Sequence, residues 1–279
     1  MRRMERRMYR IKRGQAFARR ILLGAAAIVA LTGLIGRLRG GNMLSAQLLS
    51  EPTATPIASG FDETVETREI TLPAEVWYAI QTGVFSTREA AEEKAGVYAD
   101  RGAPGYVTQD GDKWRVFIAC YGDKTDANNV RTRLGDAQQV ETYLFEWACP
   151  QVRLRLSGMV GQMDVVEAGL LLRQQMARQL REDASRLDSG AITAGDERQT
   201  LESLDGQVSL WADTARSRFA RPYPALVEAL LGWSDHWQTR YSALSAATGD
   251  PTALSAALKA QAMALFADNI SFRNQLNAQ

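Results

Sequence analysis

Two segments of the chain repeat the same order of features at an offset of 36 residues. Each has an apolar strand pattern, an aromatic residue, a polar helix cap and a helix pattern; Phe85 in the first corresponds to Tyr121 in the second, and Ala91 to Ala127. Alternating β-branched and aromatic residues favour a strand, and a polar cap before a periodic stretch favours a helix. The repeat constrains this part of the chain to a strand–helix unit that occurs twice.

Four strands and two helices are predicted in this region. The strand patterns cover 76–85, 105–109, 113–121 and 138–147, and Asp110-Gly111 is typical of a tight hairpin. Ser86 with Glu89 forms a capping box for the first helix, and Asp123 or Thr125 caps the second. The order βαββαβ predicts a ferredoxin-like module, an antiparallel sheet with both helices on one face.

Residues of about 75–147 resemble a SPOR domain, the sporulation-related repeat that binds peptidoglycan. The resemblance is carried by "WYAIQTGVFS" and "KWRVFIACYGDKTDA", in which Gln81, Gly83, Phe85 and Arg115 occupy positions of the family pattern. It implies the fold predicted above. It also implies non-catalytic binding to glycan strands that have lost their stem peptides, often at division septa.

The sheet face away from the two helices is predicted to gather rings and hydrogen-bond donors, because side chains two apart on a strand share a face. Aromatic rings suit the apolar faces of sugars, and amide, guanidinium and ammonium groups suit hydroxyls and carboxylates. The candidate glycan-binding residues are Gln81, Arg115, Phe117, Trp77, Lys113 and Tyr143. The competing interpretation is that these rings pack beneath the C-terminal part of the chain, since so apolar a patch invites a protein cover.

A run of sixteen residues without charge, 21–36, is flanked by arginines on both sides. As a helix it spans about 24 Å, close to the roughly 30 Å hydrocarbon core of a bilayer. The preceding tail, 1–20, holds nine Lys or Arg and one acid. We therefore expect a single transmembrane anchor with a cytoplasmic N-terminus and the bulk of the chain outside. A cleaved signal peptide is the alternative, although Arg37 and Arg39 follow the apolar run at once.

Residues 37–73 are rich in Thr, Ser, Pro and Glu and read as a linker before the predicted module at 74–149. Outside the basic tail the chain has 24 basic and 31 acidic residues. An acidic body is a poor phosphate binder, so nucleic acid is not expected as a partner.

The remaining segment, 151–279, has apolar residues at helical spacing. Breaks at Ser189-Gly190, Pro222-Tyr223-Pro224 and Gly249-Asp250-Pro251 divide it into four amphipathic helices, and an all-α bundle is expected. The overall prediction is an α+β chain: transmembrane helix, βαββαβ module, then helical domain. The helical domain is a candidate contact for a protein partner, and the oligomeric state is not defined by the sequence.

The sequence gives little support for a catalytic function. The chain has one histidine, His236, and two cysteines, Cys120 and Cys149, and no cluster has metal-ligand spacing, so no metal or cofactor is expected. A disulfide between the cysteines is disfavoured because their strands are predicted to end at opposite sheet edges.

Three functional hypotheses follow. The leading one is a non-catalytic, glycan-binding envelope protein. The second is a protein–protein scaffold acting through the helical domain, which is favoured by Val84 and Ala119-Cys120, residues that depart from the family pattern. A wall hydrolase is third, for want of a nucleophile or metal constellation.

Overall fold

A computed structural model describes residues 64–247 and 249–278. The predicted cytoplasmic tail at 1–20, the predicted anchor at 21–36 and most of the predicted linker lie outside these residues. Within the described ranges, no helix combines the length and apolar character that crossing a membrane requires. The elements are β1 (Val65–Leu72), β2 (Glu75–Phe85), α1 (Arg88–Ala99), β3 (Tyr106–Asp110), β4 (Lys113–Tyr121), α2 (Lys124–Gln138), β5 (Tyr143–Cys149), β6 (Val152–Met159), α3 (Val160–Asp188), α4 (Ala194–Arg218), α5 (Ala225–Ala247) and α6 (Pro251–Asn277).

The predicted α+β arrangement and the βαββαβ module are present. Strands β2 to β5 form an antiparallel sheet in the order β3-β4-β2-β5. Helices α1 and α2 pack on one face through Ile80, Tyr98, Ile118 and Val130. The carboxylate of Asp123, one of the two predicted caps, caps α2. The cap of α1 is Thr87 rather than Ser86, since its hydroxyl accepts from the Ala90 amide.

A second sheet corrects the predicted boundaries of the linker and the helical domain. Strand β1 lies inside the predicted linker and β6 inside the predicted start of the helical domain, and the two pair antiparallel from Val65↔Met159 to Leu72↔Val152. The period of two is hidden in β1 because two of its inward positions, Glu66 and Arg68, are charged. Carboxylates of α3 bind the Arg68 guanidinium and make this burial acceptable.

The two sheets meet where two neighbouring segments of the chain leave the strand conformation side by side, at 73–74 and at 150–151. Proline has no N–H to donate, so Pro73 and Pro150 break the ladder between the β1–β6 pair and the β2–β5 pair. Arg273 of α6, 2% exposed, donates from Nη1 to the carbonyl oxygens of Pro73 (2.6 Å) and Pro150 (3.0 Å). One buried side chain of the last helix thus joins both interruptions.

The four predicted helices of the C-terminal region are present, with breaks at the predicted positions. Helices α3 and α6 share an extensive contact along the bundle. One continuous cluster of buried side chains runs from Trp77 and Phe117 of the sheet to Leu180 of α3, Trp237 of α5 and Phe266 of α6. The module and the bundle therefore share a core.

Both cysteines are buried free thiols on strands that flank β2 on opposite sides. Cys120 pairs with Ala79, and Cys149 pairs with Glu75. The expectation that both strands lie at sheet edges is wrong for the strand of Cys120, because β3 lies outside β4; strand β2 nevertheless separates the strands of the two thiols.

Candidate functional site

The candidate site lies on the face of the four-stranded sheet opposite α1 and α2, which we call the distal face. The predicted alternation is correct: Trp77 and Ala79 point away from α1 and α2, whereas Ile80 and Val116 pack against them. Phe117 and Phe145 stack on the distal face with ring centroids 5.3 Å apart. For these residues the two sides of the sheet are the ones that the alternation predicts.

The expectation that the whole distal face is open is wrong for Trp77 and Phe117. Their exposed fractions are 1% and 0%. The Trp77 ring stacks on Phe266 of α6 at 4.1 Å and 7°, and Trp147 meets the same ring edge-on at 5.3 Å. Leaving such rings in water costs about 25 cal/mol per Å² of apolar surface, so the apolar stripe of the bundle covers them.

Charged groups fix the position of the covered end of the sheet relative to α3. Arg181 of α3 places its guanidinium 4.4 Å from the Trp77 ring centre. Trp77 Nε1 donates to Glu75, whose carboxylate also receives two hydrogen bonds from Arg178 at 2.7 and 2.8 Å. Burial acts to raise the pKa of Glu75, but the hydrogen bonds from Arg178 and Trp77 together lower it. Trp77 is thus a structural anchor between β2 and α3.

The other end of the distal face is uncovered, and four predicted site residues lie there: Gln81, Lys113, Arg115 and Tyr143. Tyr143 is 53% exposed, and the side chains of Lys113 and Arg115 are 48% and 23% exposed. Gln81 is buried at 6% exposure. Lys113, Arg115 and Tyr143 form the accessible part of the candidate site, and Gln81 lies buried beside Arg115.

Arg115 is the organising residue of the uncovered end. Its Nη1 donates to Gln81 Oε1 at 2.8 Å, and its Nε and Nη2 donate to the Asp110 carboxylate at 2.7 and 2.6 Å. Its guanidinium lies 4.7 Å from the centre of the Phe145 ring. A planar guanidinium held on three sides is pre-organised, and Gln81 acts by positioning it.

Tyr143 and Lys113 supply the exposed surface beside this guanidinium. The Tyr143 hydroxyl donates to Glu141, which raises the pKa of that hydroxyl, so the ring stays neutral at physiological pH. Lys113 pairs loosely with Asp112 at 3.4 Å in solvent. A neutral ring beside two cations suits a ligand with flat apolar faces and hydroxyl or carboxylate oxygens.

The family-pattern residues of β2, Gln81, Gly83 and Phe85, each have a structural role. A Cβ at Gly83 would lie 2.7 Å from the outer edge of the Phe85 ring, so glycine leaves room for that ring in its present position. The ladder shifts register on both sides of Gln81, a β-bulge that orients this side chain beneath Arg115. Gly83 and Phe85 therefore shape the strand.

Sequence reasoning missed Phe266 and Arg181, which define the covered end. Both were part of a helical pattern, and only the docking of the bundle brings them to Trp77. Among the residues that the structure describes, no group of three or more His, Cys, Asp or Glu side chains could hold a metal ion. His236 lies exposed on α5.

Comparison with known proteins identifies the module alone. No curated protein and no solved structure matches the chain. Residues 76–144, which run from β2 to the start of β5 and carry the Gln81–Arg115 pair, match the family model of the SPOR domain.

Proposed function

We propose that this protein is a non-catalytic, membrane-anchored binding protein of the bacterial cell envelope. Its SPOR domain would bind peptidoglycan glycan strands that have lost their stem peptides. The observation that carries the proposal is the Arg115–Gln81 pair on the uncovered end of the distal face, within a segment that matches the SPOR family. SPOR domains are binding modules, so a recognition role is favoured over catalysis.

The geometry favours a contact limited to one end of the sheet. A sugar ring would stack against Tyr143, the exposed aromatic residue there, while Arg115 and Lys113 donate to hydroxyls or to a lactyl carboxylate. Because Arg115 already binds Asp110, a ligand carboxylate would have to compete for the same guanidinium. We therefore expect modest affinity.

The placement in the envelope rests on the sequence. The uncharged run at 21–36 would cross the membrane, the basic tail at 1–20 would stay in the cytoplasm, and the described region would lie outside. Pairing of β1 with β6 would set the start of the tether at residue 64, beside the bundle.

Retention by purified wall sacculi tests the proposal. Residues 64–279 are mixed with sacculi that were or were not treated with an amidase to remove stem peptides. We expect retention mainly after treatment, reduced about fivefold by Arg115→Ala and by Tyr143→Ala, since one charge-assisted or stacking contact contributes about 1 kcal/mol. Arg88→Ala removes a cation from α1 on the opposite side of the sheet and is the matched control. Absence of retention in both preparations would refute the glycan proposal.

The burial of Trp77 and Phe117 favours a second candidate, a protein–protein scaffold. These two rings serve the shared core rather than a ligand. The bundle also exposes Leu210 of α4 at 71%. A photo-crosslinking amino acid at Leu210 that captures one specific partner in cells, together with no retention on sacculi, would favour the scaffold over the glycan binder.

A further inference from the structure

The charged side chains at the uncovered end of the distal face do not form a basic surface. Arg115 and Lys113 supply the positive charge there. Three exposed carboxylates accompany them, those of Asp110, Asp112 and Glu141. Two positive and three negative groups leave this cluster with a net charge of −1. The guanidinium and the ammonium alone suggest a site for anions, but their surroundings do not.

Each of these cations is already paired with a carboxylate. Arg115 donates from Nε and Nη2 to the Asp110 carboxylate at 2.7 and 2.6 Å, and the Lys113 ammonium lies 3.4 Å from Asp112. The Asp110 side chain is 50% exposed, so its negative charge lies at the surface that a ligand approaches. A ligand carboxylate that binds Arg115 would come close to Asp110, and like charges brought together oppose binding.

The pair of Arg115 and Asp110 is suited to the hydroxyl groups of an uncharged sugar. A hydroxyl both donates and accepts, so one hydroxyl can donate to the Asp110 carboxylate while its neighbour accepts from Arg115. Nη1 and Nη2 of Arg115 each carry a second hydrogen besides the one that Gln81 or Asp110 accepts. Hydrogen bonds to ionised groups are stronger than those between neutral groups, and here they form without bringing a further charge to the site.

The exposed apolar groups at this end also suit an uncharged sugar. Tyr143 lies opposite Gln81 in the β2–β5 ladder, and Val84, 45% exposed, lies opposite Arg115 in the β2–β4 ladder. Residues directly opposite each other in an antiparallel pair share a face, so both belong to the surface around the Arg115 guanidinium. The apolar C–H face of a sugar can stack on Tyr143, and the methyl group of an N-acetyl substituent can contact Val84. Val84, which departs from the family pattern, thereby gains a role.

We propose that the uncovered end of the distal face selects uncharged N-acetylated sugar units and rejects units with a free lactyl carboxylate, and that Asp110 sets this specificity. The inference rests on the proposed glycan binding and adds which part of the strand is recognised. Asp110 holds the Arg115 guanidinium, and its negative charge opposes a ligand carboxylate. The discrimination comes from repulsion of the wrong unit rather than from extra contacts with the right one. Removal of the stem peptides opens the strand, and its uncharged units then occupy the site.

Three tetrasaccharides test the charge requirement: chitotetraose, a glycan-strand tetrasaccharide with free lactyl carboxylates, and the same tetrasaccharide with these carboxylates reduced to alcohols. The full chain in detergent micelles carries ¹⁵N-arginine, and the Arg115 Nε–Hε resonance, assigned with Arg115→Lys, is followed by NMR during titration. We expect chitotetraose and the reduced form to bind about threefold or more tightly than the carboxylate form. Equal or tighter binding of the carboxylate form would overturn this inference and leave the proposed glycan binding standing. No saturable shift with any of the three would refute both.

Asp110→Asn provides the second arm, because it removes the charge and keeps an oxygen that can accept from Arg115. Asn-Gly suits a tight hairpin turn as well as Asp-Gly does, so the β3–β4 hairpin is retained. The carboxylate form should bind the variant about fivefold more tightly than wild type, the effect of one like charge removed near the surface. Chitotetraose should bind no more tightly. Glu93→Gln removes an exposed charge from α1, on the opposite side of the sheet, and should keep the wild-type preference. The same preference in Asp110→Asn would disprove the role of Asp110.

Discussion

Trp77 of β2 and Phe266 of the last helix lie face to face, with ring centroids 4.1 Å apart and planes 7° apart. This contact joins the start of the module to the end of the described chain and closes half of the distal face. It is the reason that a face predicted as a whole binding platform is divided into a covered end and an uncovered end. The covered end contributes to stability, and the uncovered end is left for recognition.

Phe266→Ala should destabilise the folded protein by about 3–5 kcal/mol, the cost of removing a large buried aromatic side chain. Phe266 is 1% exposed and contacts both Trp77 and Trp147, so its loss would leave a new cavity between the sheet and the bundle. Denaturant unfolding of residues 64–279 measures the change. Leu210→Ala, at a position 71% exposed, should change the free energy of unfolding by less than about 0.5 kcal/mol. Similar losses for both variants would contradict a shared core.

Arg273→Met should destabilise the protein by about 2–4 kcal/mol. The substitution keeps an apolar stem of similar length but leaves the carbonyl oxygens of Pro73 and Pro150 without their donor. Hydrogen exchange should increase first at the paired ends Leu72↔Val152 and Glu75↔Cys149, on either side of the interruption. Arg216→Met, which removes solvent-exposed ion pairs on α4, should cost under about 1 kcal/mol. If exchange rises uniformly instead, Arg273 does not act at this junction.

The sequence predicted the parts of this structure that local chemistry specifies. Period-two alternation placed Gln81 and Arg115 on one face, where the structure has them hydrogen-bonded. The capping pattern limited the cap of α2 to Asp123 or Thr125, and the structure has Asp123. The four C-terminal helices followed from their apolar stripes and from the glycine and proline breaks.

The features that the sequence did not predict, strand β1 and the burial of Trp77 and Phe117, depend on contacts between distant parts of the chain. Strand β1 is recognisable only beside β6, because Arg68 faces inward and is neutralised by carboxylates of α3. The burial of Trp77 and Phe117 required knowledge of where α6 docks, and an aromatic side chain on a strand suits a ligand or a helix equally well. Strand alternation could identify the residues of the distal face, but not the helix α6 that covers part of it.

Both cysteines should resist thiol reagents in the folded state. Burial raises the pKa of the Cys120 thiol to about 12 and that of the Cys149 thiol to about 11, so neither is a thiolate at neutral pH. Incubation with 5,5′-dithiobis(2-nitrobenzoic acid) at pH 7.5 should label none of the native protein and both thiols in guanidinium chloride. Ser203→Cys, exposed on α4, should be labelled at once and confirms that the reagent is active. Rapid native labelling of either natural cysteine would contradict the packing around β2.

Glu197 should make the protein less stable as the pH rises from about 4.5 to about 8. It is fully buried on α4, and neither of its carboxylate oxygens has a hydrogen-bond partner among the described residues. Burial, and secondarily the nearby Asp183, raise the pKa of Glu197 from 4.5 to about 8. Between these values the unfolded chain releases the proton while the folded chain keeps it, so rising pH favours unfolding; below 4.5 and above 8 this contribution is constant.

Glu197→Gln removes the titration and should therefore stabilise the protein at pH 8.5 by about 3–5 kcal/mol relative to wild type, and much less at pH 5. A smaller slope of the same sign should persist in the variant, because burial also raises the pKa of Asp183. Urea unfolding at several pH values between 4.5 and 9 measures both curves. Glu202→Gln, on the exposed side of α4, controls for the loss of one negative charge and should follow the wild-type curve. Parallel curves for wild type and Glu197→Gln would show that Glu197 ionises normally in the folded state, and that α4 opens to hydrate it.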